Sequence, residues 1–437
     1  MKKVLMISYY FPPAGGPGVQ RVLKFVRYLP EHGWEPIVLT VRNGSYPNID
    51  STLLKEVPTN LMVVKTKTFE PFTLYKLLTG KERSEGIPIG FIDVDQAAPI
   101  EKLSNLIRAN LFVPDARVGW YPFAVSAGRQ LLQRERPNLV FTSGTPHSVH
   151  LIGKRLKKLS GRRWLADFRD PWTTIYYNQY LLRFGFVDDI DRSLERSVLA
   201  SADIVTTVSR SLADELSQRA PADSGKYEIL PNGFDEDDFK DVPVEQTSKF
   251  RITYVGNLLP NQNPPVFWKV LGQLLDEDTQ LASQFELFLI GNIDQSALNS
   301  LEEYGLSRWV THRTYVPHRS AIEYMRQSPI LLLIIPNIKN NRGILTGKLF
   351  EYIGAQRSIL ALGPPGCDAD DILQETATGT MIQFDDSNAM RSTLSSLVRH
   401  WRSGELKRPQ GNPARLNYTR RKLTEKLARL FDSLVES

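Results

Sequence analysis

RGILTGKLFEYIGA, residues 342–355, lies between two short apolar runs, ILLLII at residues 330–335 and ILAL at residues 359–362. The two runs have the length and composition of buried strands, and the stretch between them indicates a loop followed by a helix. Thr346 is a favourable N-cap residue, so we expect the helix to begin near it. The order strand, loop, helix, strand is the repeating unit of a parallel sheet, and it predicts an α/β fold.

The start of this predicted helix has the properties of an anion site. A helix N-terminus that follows a glycine-bearing loop offers free N–H groups and the positive end of a dipole. Lys348 and Glu351 are three residues apart, so they share one face of the helix. The lysine can pair with phosphate and the glutamate can accept both ribose hydroxyls, which suits a nucleotide. A surface Lys–Glu pair is the alternative, but the carboxyl end of a strand is where open α/β sheets bind ligands.

The residues TGKLFEY at 346–352, followed by SILALG at 358–363, resemble the donor-site motif of family-4-type retaining glycosyltransferases. Enzymes of that family have the GT-B fold, which consists of two facing Rossmann-like domains with a C-terminal helix that crosses back to the first. The resemblance implies that Lys348 binds the diphosphate of a nucleotide-sugar and that Glu351 binds its ribose. The sequence departs from the family at Gly343, where many members carry a second glutamate near the transferred sugar.

The length of 437 residues favours two domains over one core. The resemblance places an N-terminal, acceptor-side Rossmann-like domain at residues 1–235 and a C-terminal donor domain at residues 250–414. The acidic segment 236–249 is predicted to link them. The amphipathic tail, residues 415–437, is predicted to be the helix that returns to the first domain.

Composition limits the function further. The net charge of +6 favours acidic partners such as phosphates or anionic lipid. The only cysteine, Cys367, excludes an internal disulfide and fits a reducing cytosol. The sequence has neither Cys/His metal spacing nor a P-loop, so we expect no metal, no other cofactor and no nucleic-acid partner. Residues 1–11 indicate a first strand rather than a signal peptide, and no apolar run reaches the roughly 18 residues of a membrane helix.

A cluster of glycines follows the first predicted strand. Gly15, Gly16 and Gly18 are predicted to lie in a turn before a helix, where glycine lets a ligand approach the backbone. They resemble the glycine-rich loop of the glycosyltransferase family, which touches the donor diphosphate and the acceptor. A tight turn without a binding role is the alternative.

The resemblance also implies donor contacts in the second half of the chain. Gly256 should end a strand near the phosphates, and the backbone near Val316 should meet the nucleobase. Asn257 and Asn263 stand roughly where many relatives carry an arginine and a lysine, so phosphate binding would depend more on Lys348. The predicted donor-binding residues are Gly15, Gly16, Gly256, Asn257, Val316, Thr346, Gly347, Lys348, Leu349 and Glu351.

The candidates for catalysis follow two other predicted strands. His147 begins a helix and could hydrogen-bond an acceptor hydroxyl, cap the helix or simply pack; His150 is expected to be structural. Asp167, Arg169 and Asp170 suit the recognition of a polyol, although a buried ion pair that holds the loop is the competing interpretation. The catalytic base remains unassigned, with His147, Asp170 and Arg169 as candidates.

Three segments could contact a membrane or the acceptor. The segment Lys154–Arg163 is strongly basic, which indicates either a solvated helix end or attraction to anionic lipid. Residues 72–81 and 100–112 are apolar with basic flanks; they either shape the acceptor side, touch the membrane surface or pack as a variable surface excursion.

Together with the resemblance, these observations predict a cytosolic GT-B hexosyltransferase, in class EC 2.4. The resemblance implies that the enzyme retains the anomeric configuration and needs no metal. The acceptor is expected to be a glycan or lipid-linked saccharide of a bacterial surface polysaccharide or glycolipid, reached in the cytoplasm or at the inner face of the membrane. A sugar-nucleotide epimerase of the same fold and a non-catalytic nucleotide-binding subunit of a transferase complex are the alternatives.

Overall fold

The computed structural model describes residues 1–46, 48–69, 106–176, 178, 181–222, 225–242, 247–314, 316–406 and 412–436. The chain divides into two compact units: unit 1 comprises Met1–Pro231 and Arg421–Ser437, and unit 2 comprises Asn232–Arg420. The predictions for residues 72–81, for residues 100–105 and for part of the acidic linker, residues 243–246, lie outside the described residues.

Unit 1 contains one parallel sheet with helices. Its strands are β1 (Lys2–Ile7), β2 (Trp34–Val41), β3 (Met62–Thr66), β4 (Leu139–Gly144), β5 (Arg163–Phe168), β6 (Ile204–Thr207) and β7 (Tyr227–Ile229). Its first helices are α1 (Pro17–Tyr28), α2 (Tyr121–Arg134), α3 (Ser148–Ser160), α4 (Gly185–Ser201) and α5 (Arg210–Arg219). The strand order is β3-β2-β1-β4-β5-β6-β7, and all neighbours are parallel.

Unit 2 repeats this plan. Its strands are β8 (Phe250–Val255), β9 (Phe285–Ile290), β10 (Val310–Arg313), β11 (Ile330–Ile334), β12 (Ser358–Leu362) and β13 (Gly379–Ile382). Its helices are α6 (Pro265–Glu277), α7 (Thr279–Gln284), α8 (Gln295–Glu303), α9 (His318–Gln327), α10 (Gly347–Ala355), α11 (Asp368–Thr376) and α12 (Ser387–Arg402). The order is β10-β9-β8-β11-β12-β13, again entirely parallel.

Each sheet is doubly wound, since the chain proceeds outward from the centre in one direction and then in the other. Strands of such sheets are covered on both faces, so they carry continuous apolar runs. The strand β11, with the sequence ILLLI, is buried at every position. The prediction of two Rossmann-like α/β domains is confirmed.

The last helix, α13 (Arg420–Glu436), packs in unit 1 although it follows unit 2 in the sequence. Its residues Leu423, Leu427 and Phe431 are buried in one apolar cluster with the strands of unit 1. The ring of Phe431 lies 5.2 Å from that of Trp34 and 5.8 Å from that of Phe141, measured between centroids. The core of unit 1 therefore includes a helix from the other end of the chain.

Candidate functional site

The centre of each sheet is a switch point, where consecutive connections run to opposite sides. In unit 2 this point lies between β8 and β11. Ligands of open α/β sheets bind beyond the carboxyl ends of the strands at such a point. The loop after β8 begins with Gly256, and the segment after β11 leads into α10, so both predicted donor segments start here.

The first turn of α10 contains no acidic side chain. Thr346 is the N-cap residue, as predicted, but its side chain does not cap the helix, and its Oγ1 atom is buried without a hydrogen-bond partner. The positive end of the helix dipole is therefore uncompensated, which favours an anion.

Lys348 lies in the first turn of α10 and is supported by neutral groups. Its Nζ atom donates to the hydroxyl of Tyr254 and to the carbonyl of Asn257, at 3.3 Å from the latter, and lies 4.3 Å from the centroid of the Tyr254 ring. Burial lowers the pKa of Lys348 to about 7, although the charge of Glu351 acts in the opposite direction. No ion pair among the described residues includes this lysine.

Gly256 leaves the space that Lys348 occupies. Its φ of +114° is unfavourable for residues with a side chain, and a Cβ atom there would lie 2.4 Å from Cε of Lys348. Its N–H donates to the carbonyl of Ile290, at 2.7 Å, which fixes the loop to the neighbouring strand. A glycine is therefore required at this position for both backbone conformation and space.

Glu351 faces the segment that follows β10. One of its oxygens lies 3.4 Å from Nε2 of His318, the first residue of α9. Val316, two residues before His318, is partly buried against the core next to α10. The structure therefore places Lys348 and Glu351 on one helix, α10, with the segment that contains Val316 and His318 next to Glu351.

The other predicted donor residues contribute differently. Gly347 is the first residue of α10, whereas the side chain of Leu349 is fully buried in the core, so it offers no side-chain contact to a ligand. The side chain of Asn257 is exposed and only its carbonyl is engaged. Asn263 bonds Trp268 and Ser300, at 2.9 Å each, so its amide is structural.

Two features of this site do not follow from the sequence predictions. Tyr254 is not among the predicted site residues; the sequence pattern that could indicate it is a hydroxyl-bearing residue near the end of a strand that leads into a glycine loop. Gly343 lies in a short 3₁₀ turn, Asn341–Gly343, where the resemblance implies a glutamate. The guanidinium of its neighbour Arg342 bonds the carbonyls of Pro365 and Gly366, so it holds the loop after β12.

In unit 1 the switch point lies between β1 and β4. Gly16 is the N-cap of α1 with a φ of +108°, and α1 lacks both a capping side chain and an acid in its first turn. The prediction that Gly18 lies in the turn is wrong, because the helix already begins at Pro17, a residue favoured at the first helical position. The N–H of Gly15 donates to the carbonyl of Asn48, at 3.0 Å.

Arg169 and Asp170 lie at the end of β5, near the start of α1. The guanidinium of Arg169 donates to the carbonyls of Gly144 (2.7 Å) and Thr145 (2.6 Å). A Cβ atom on Gly18 would lie 1.5 Å from Nη1 of Arg169, so the glycine admits the guanidinium to the helix N-terminus. Asp170 accepts a hydrogen bond of 2.6 Å from the hydroxyl of Thr145.

His147 is buried beside them, with 5% of its surface exposed. Its Nε2 atom lies 3.2 Å from the carbonyl of Pro171, so this nitrogen carries the proton, and Nδ1 has no partner. Its ring stacks on that of Trp172, and burial lowers its pKa, which favours the neutral form. His150 is fully buried against Phe168, as expected of a structural residue.

Asp167 does not face a ligand. Its carboxylate is fully buried and receives two hydrogen bonds from Arg21, of 3.0 Å and 2.7 Å. It also accepts from the hydroxyls of Ser143 and Thr206. Of the two interpretations for this residue, the structure shows the buried ion pair. Arg21 also donates to the carbonyls of Leu230 and Pro231. Pro231 is the last residue of the first of the two chain segments that form unit 1.

Among the described residues, no helix has both the length and the apolar composition that a membrane span requires. The same residues contain no group of three or more His, Cys, Asp or Glu side chains that could hold a metal ion.

Comparisons with known proteins bear on the fold. The family described as Glycosyltransferase Family 4 matches residues 93–238. No curated protein matches the chain in sequence. A solved structure of a glycosyltransferase from Rickettsia africae has 13% sequence identity and a TM-score of 0.63, and the match covers 100% of this chain and 99% of that chain. A sucrose-phosphate synthase from Thermosynechococcus elongatus has 15% identity and a TM-score of 0.64, with 100% of each chain covered. HepE from Anabaena in complex with UDP has 11% identity and a TM-score of 0.64, with 99% of this chain and 100% of that chain covered. At these identities the likeness shows the fold, which is that of GT-B glycosyltransferases.

Proposed function

We propose that the protein is a retaining glycosyltransferase that moves a hexose from a nucleotide-sugar to an acceptor hydroxyl. The observation that carries the proposal is the environment of Lys348. An ammonium that forms no ion pair with the residues that the structure describes lies at a helix N-terminus without a capping side chain, at the switch point of unit 2. A diphosphate supplies the negative charge that this site lacks. The family match in unit 1 and the UDP in the Anabaena neighbour support the same assignment.

In this proposal unit 2 binds the donor and unit 1 contributes to the acceptor. Lys348 and the start of α10 would stabilise the charge that develops on the leaving diphosphate, which is the main contribution a protein makes to such a reaction. Glu351 would hold the ribose and the Val316 segment the nucleobase. By analogy with the family that the sequence resembles, the leaving phosphate would help to deprotonate the acceptor, and no metal would be needed.

In the proposed function, unit 1 provides the residues that bind the acceptor. His147, Arg169 and Asp170 lie near the ends of β4 and β5, and the guanidinium of Arg169 lies against Gly18 in the first turn of α1. We propose a glycan or lipid-linked acceptor of a bacterial surface polysaccharide or glycolipid, with the reaction in the cytoplasm.

Contact of the segment Lys154–Arg163 with anionic membrane also stays a prediction. In the structure, two cations of this segment, Lys157 and Arg163, pair with Asp203.

A screen of melting temperature with UDP, GDP, ADP and dTDP tests the donor site. A ligand that binds only the native state stabilises it, by about 2.7 kcal/mol at a concentration 100 times its Kd. We expect one of the four to raise the melting temperature. Failure of all four at millimolar concentration would remove the nucleotide site from the proposal.

The position of Gly343 and the exposed Asn257 favour one rival, a nucleotide-binding subunit without activity. Incubation with nucleotide-sugars, with and without saccharide acceptors, separates the possibilities. Nucleoside diphosphate release that depends on acceptor supports transfer. Interconversion of the sugar would instead identify an epimerase, and binding without turnover would identify the subunit.

Replacing Glu351 by glutamine should weaken the binding of nucleoside diphosphate by about 10- to 100-fold, because hydrogen bonds to a charged acceptor contribute about 1.5–3 kcal/mol each. The value of kcat should change less, since ribose contacts do not change along the reaction. Titration calorimetry gives the affinity. Glu323→Gln on α9, which alters an exposed pair with Arg319, is the matched control. Equal affinities of the two variants would contradict the assignment.

Replacing Gly256 by alanine should displace Lys348 and weaken nucleotide binding by about tenfold or more, since a contact to an ionised group is lost. The control is Gly305→Ala, because Gly305 also has a positive φ, +70°, but a Cβ atom added to it would have no neighbour within 4 Å. Both variants should lose about 1–2 kcal/mol of stability through backbone strain. Only Gly256→Ala should lose affinity; a similar loss in both would attribute the effect to strain alone.

A further inference from the structure

We infer that Tyr254 is a positioning residue for Lys348: its hydroxyl and ring hold the ammonium of the lysine at the start of α10. The inference rests on the proposed function for its consequence in nucleotide binding, but its structural part stands on unit 2 alone. Tyr254 is fully buried on β8, one residue before the last position of that strand. It is therefore a fixed support rather than a mobile surface group.

The hydrogen bonds define which atom faces which. The hydroxyl of Tyr254 donates to the carbonyl of Asn257, at 2.7 Å. Its oxygen therefore keeps its lone pairs for Lys348, whose Nζ atom donates to it. The same Nζ atom lies 3.3 Å from the Asn257 carbonyl and 4.3 Å from the centre of the tyrosine ring. Two oxygens and the aromatic ring of Tyr254 thus hold the ammonium in place.

The groups of Tyr254 and Asn257 that contact the ammonium of Lys348 are uncharged, so they do not neutralise its positive charge. Burial raises the pKa of Tyr254 well above its usual value, so its hydroxyl stays protonated. A carboxylate in its place would neutralise the lysine and compete with a phosphate. The other titratable groups near Lys348 are Glu351 and Tyr352 on its own helix, with His318 on α9 beyond Glu351. The phenol of Tyr352 is likewise neutral, because burial raises its pKa, and it accepts a hydrogen bond from Val255.

Because the groups that contact Lys348 are neutral, the protonation of this lysine is coupled to the binding of a phosphate. With a pKa of about 7, the amine of Lys348 is partly deprotonated in the ligand-free protein at neutral pH. A bound phosphate favours the charged form and raises that pKa, so binding takes up a proton between about pH 7 and 8. Affinity should therefore fall as the pH rises above about 7. The Tyr254 hydroxyl stabilises the ammonium, so its removal should move the start of this fall to lower pH.

The test compares the wild type with Tyr254→Phe, which keeps the ring and removes the hydroxyl. The protonation of Lys348 is followed directly by NMR of ¹³C-labelled lysine between pH 5 and 10, with the signal assigned through Lys348→Met. Nucleotide binding is measured over the same pH range with UDP, GDP, ADP and dTDP. Tyr304→Phe is the control, because this tyrosine packs against the core of unit 2 on the loop after α8.

We expect Tyr254→Phe to lower the midpoint of the Lys348 titration and to weaken binding at pH 7.5 by about tenfold, in line with the loss of one hydrogen bond to a charged group. The control should match the wild type. An unchanged midpoint for Lys348 in Tyr254→Phe would overturn the inference, whatever the binding data show. A shifted midpoint in a protein that binds none of the four nucleotides would instead support the role of Tyr254 and overturn the proposed function.

Discussion

Replacement of Lys348 by alanine is expected to lower kcat/KM by about 30- to 800-fold, which corresponds to about 2–4 kcal/mol of transition-state stabilisation. The effect should fall on kcat as well as on donor affinity. The reason is that the leaving diphosphate gains charge as the sugar departs, so a fixed cation binds the transition state more tightly than the substrate. Steady-state kinetics with the active donor, together with the affinity for the free nucleoside diphosphate, give both components.

Two further variants sharpen this experiment. Lys348→Met keeps the length of the side chain without its charge, and it should behave like the alanine variant if charge is the cause. Lys269→Ala removes an exposed lysine from α6 in the same unit and should leave the kinetics unchanged. Wild-type turnover and affinity in Lys348→Ala would show that the nucleotide does not bind at the start of α10.

The second large effect concerns stability. Replacing Arg21 by methionine should lower the free energy of unfolding by about 3–5 kcal/mol, because it leaves the carboxylate of Asp167 buried without its counter-charge. Burial alone would raise the pKa of Asp167, but Arg21 and the two hydroxyls hold that pKa below its usual value. A depressed carboxyl pKa stabilises the fold at neutral pH, and this contribution is lost as the pH falls through the folded-state value.

Urea unfolding at pH 7 measures this prediction. The control is Arg192→Met in the same unit, which breaks an exposed pair with Asp189, 3.2 Å apart, and should cost at most about 1 kcal/mol. Equal losses in the two variants would mean that the buried pair adds no stability beyond a surface contact. The double variant Arg21→Met/Asp167→Leu should lose less stability than the sum of the losses in the two single variants, since it leaves no unpaired charge buried.

The sequence was most informative where the interactions are local. The strand, loop and helix around residues 342–355 follow from apolar runs and from Thr346, because caps and periodicity act within a few residues. The shared face of Lys348 and Glu351 follows from helical spacing alone. Pro17 also carries a local signal, because proline is favoured at the first position of a helix, and this signal places Gly18 inside α1.

Contacts between distant residues could not be predicted in the same way. Tyr254 and Lys348 are 94 residues apart, and Arg21 and Asp167 are 146 apart. Their partners are selected by the pairing of β8 with β11 and by the packing of α1 on the first sheet. The sequence indicated that Asp167 would be either a ligand or an ion-pair residue, but only the position of Arg21 decides between them. The same applies to Asn263, whose partners Trp268 and Ser300 lie on two different helices.

The position of α13 in unit 1 has a consequence for the folding of the chain during its synthesis. A ribosome synthesises all of unit 2 before it reaches Phe431, yet Trp34 and Phe141 in unit 1 need that ring to complete their packing. Domains often fold as units while the chain is still growing, the N-terminal one first. Until α13 emerges from the ribosome, the apolar face of unit 1 that this helix covers therefore stays uncovered, even after all of unit 2 has been synthesised.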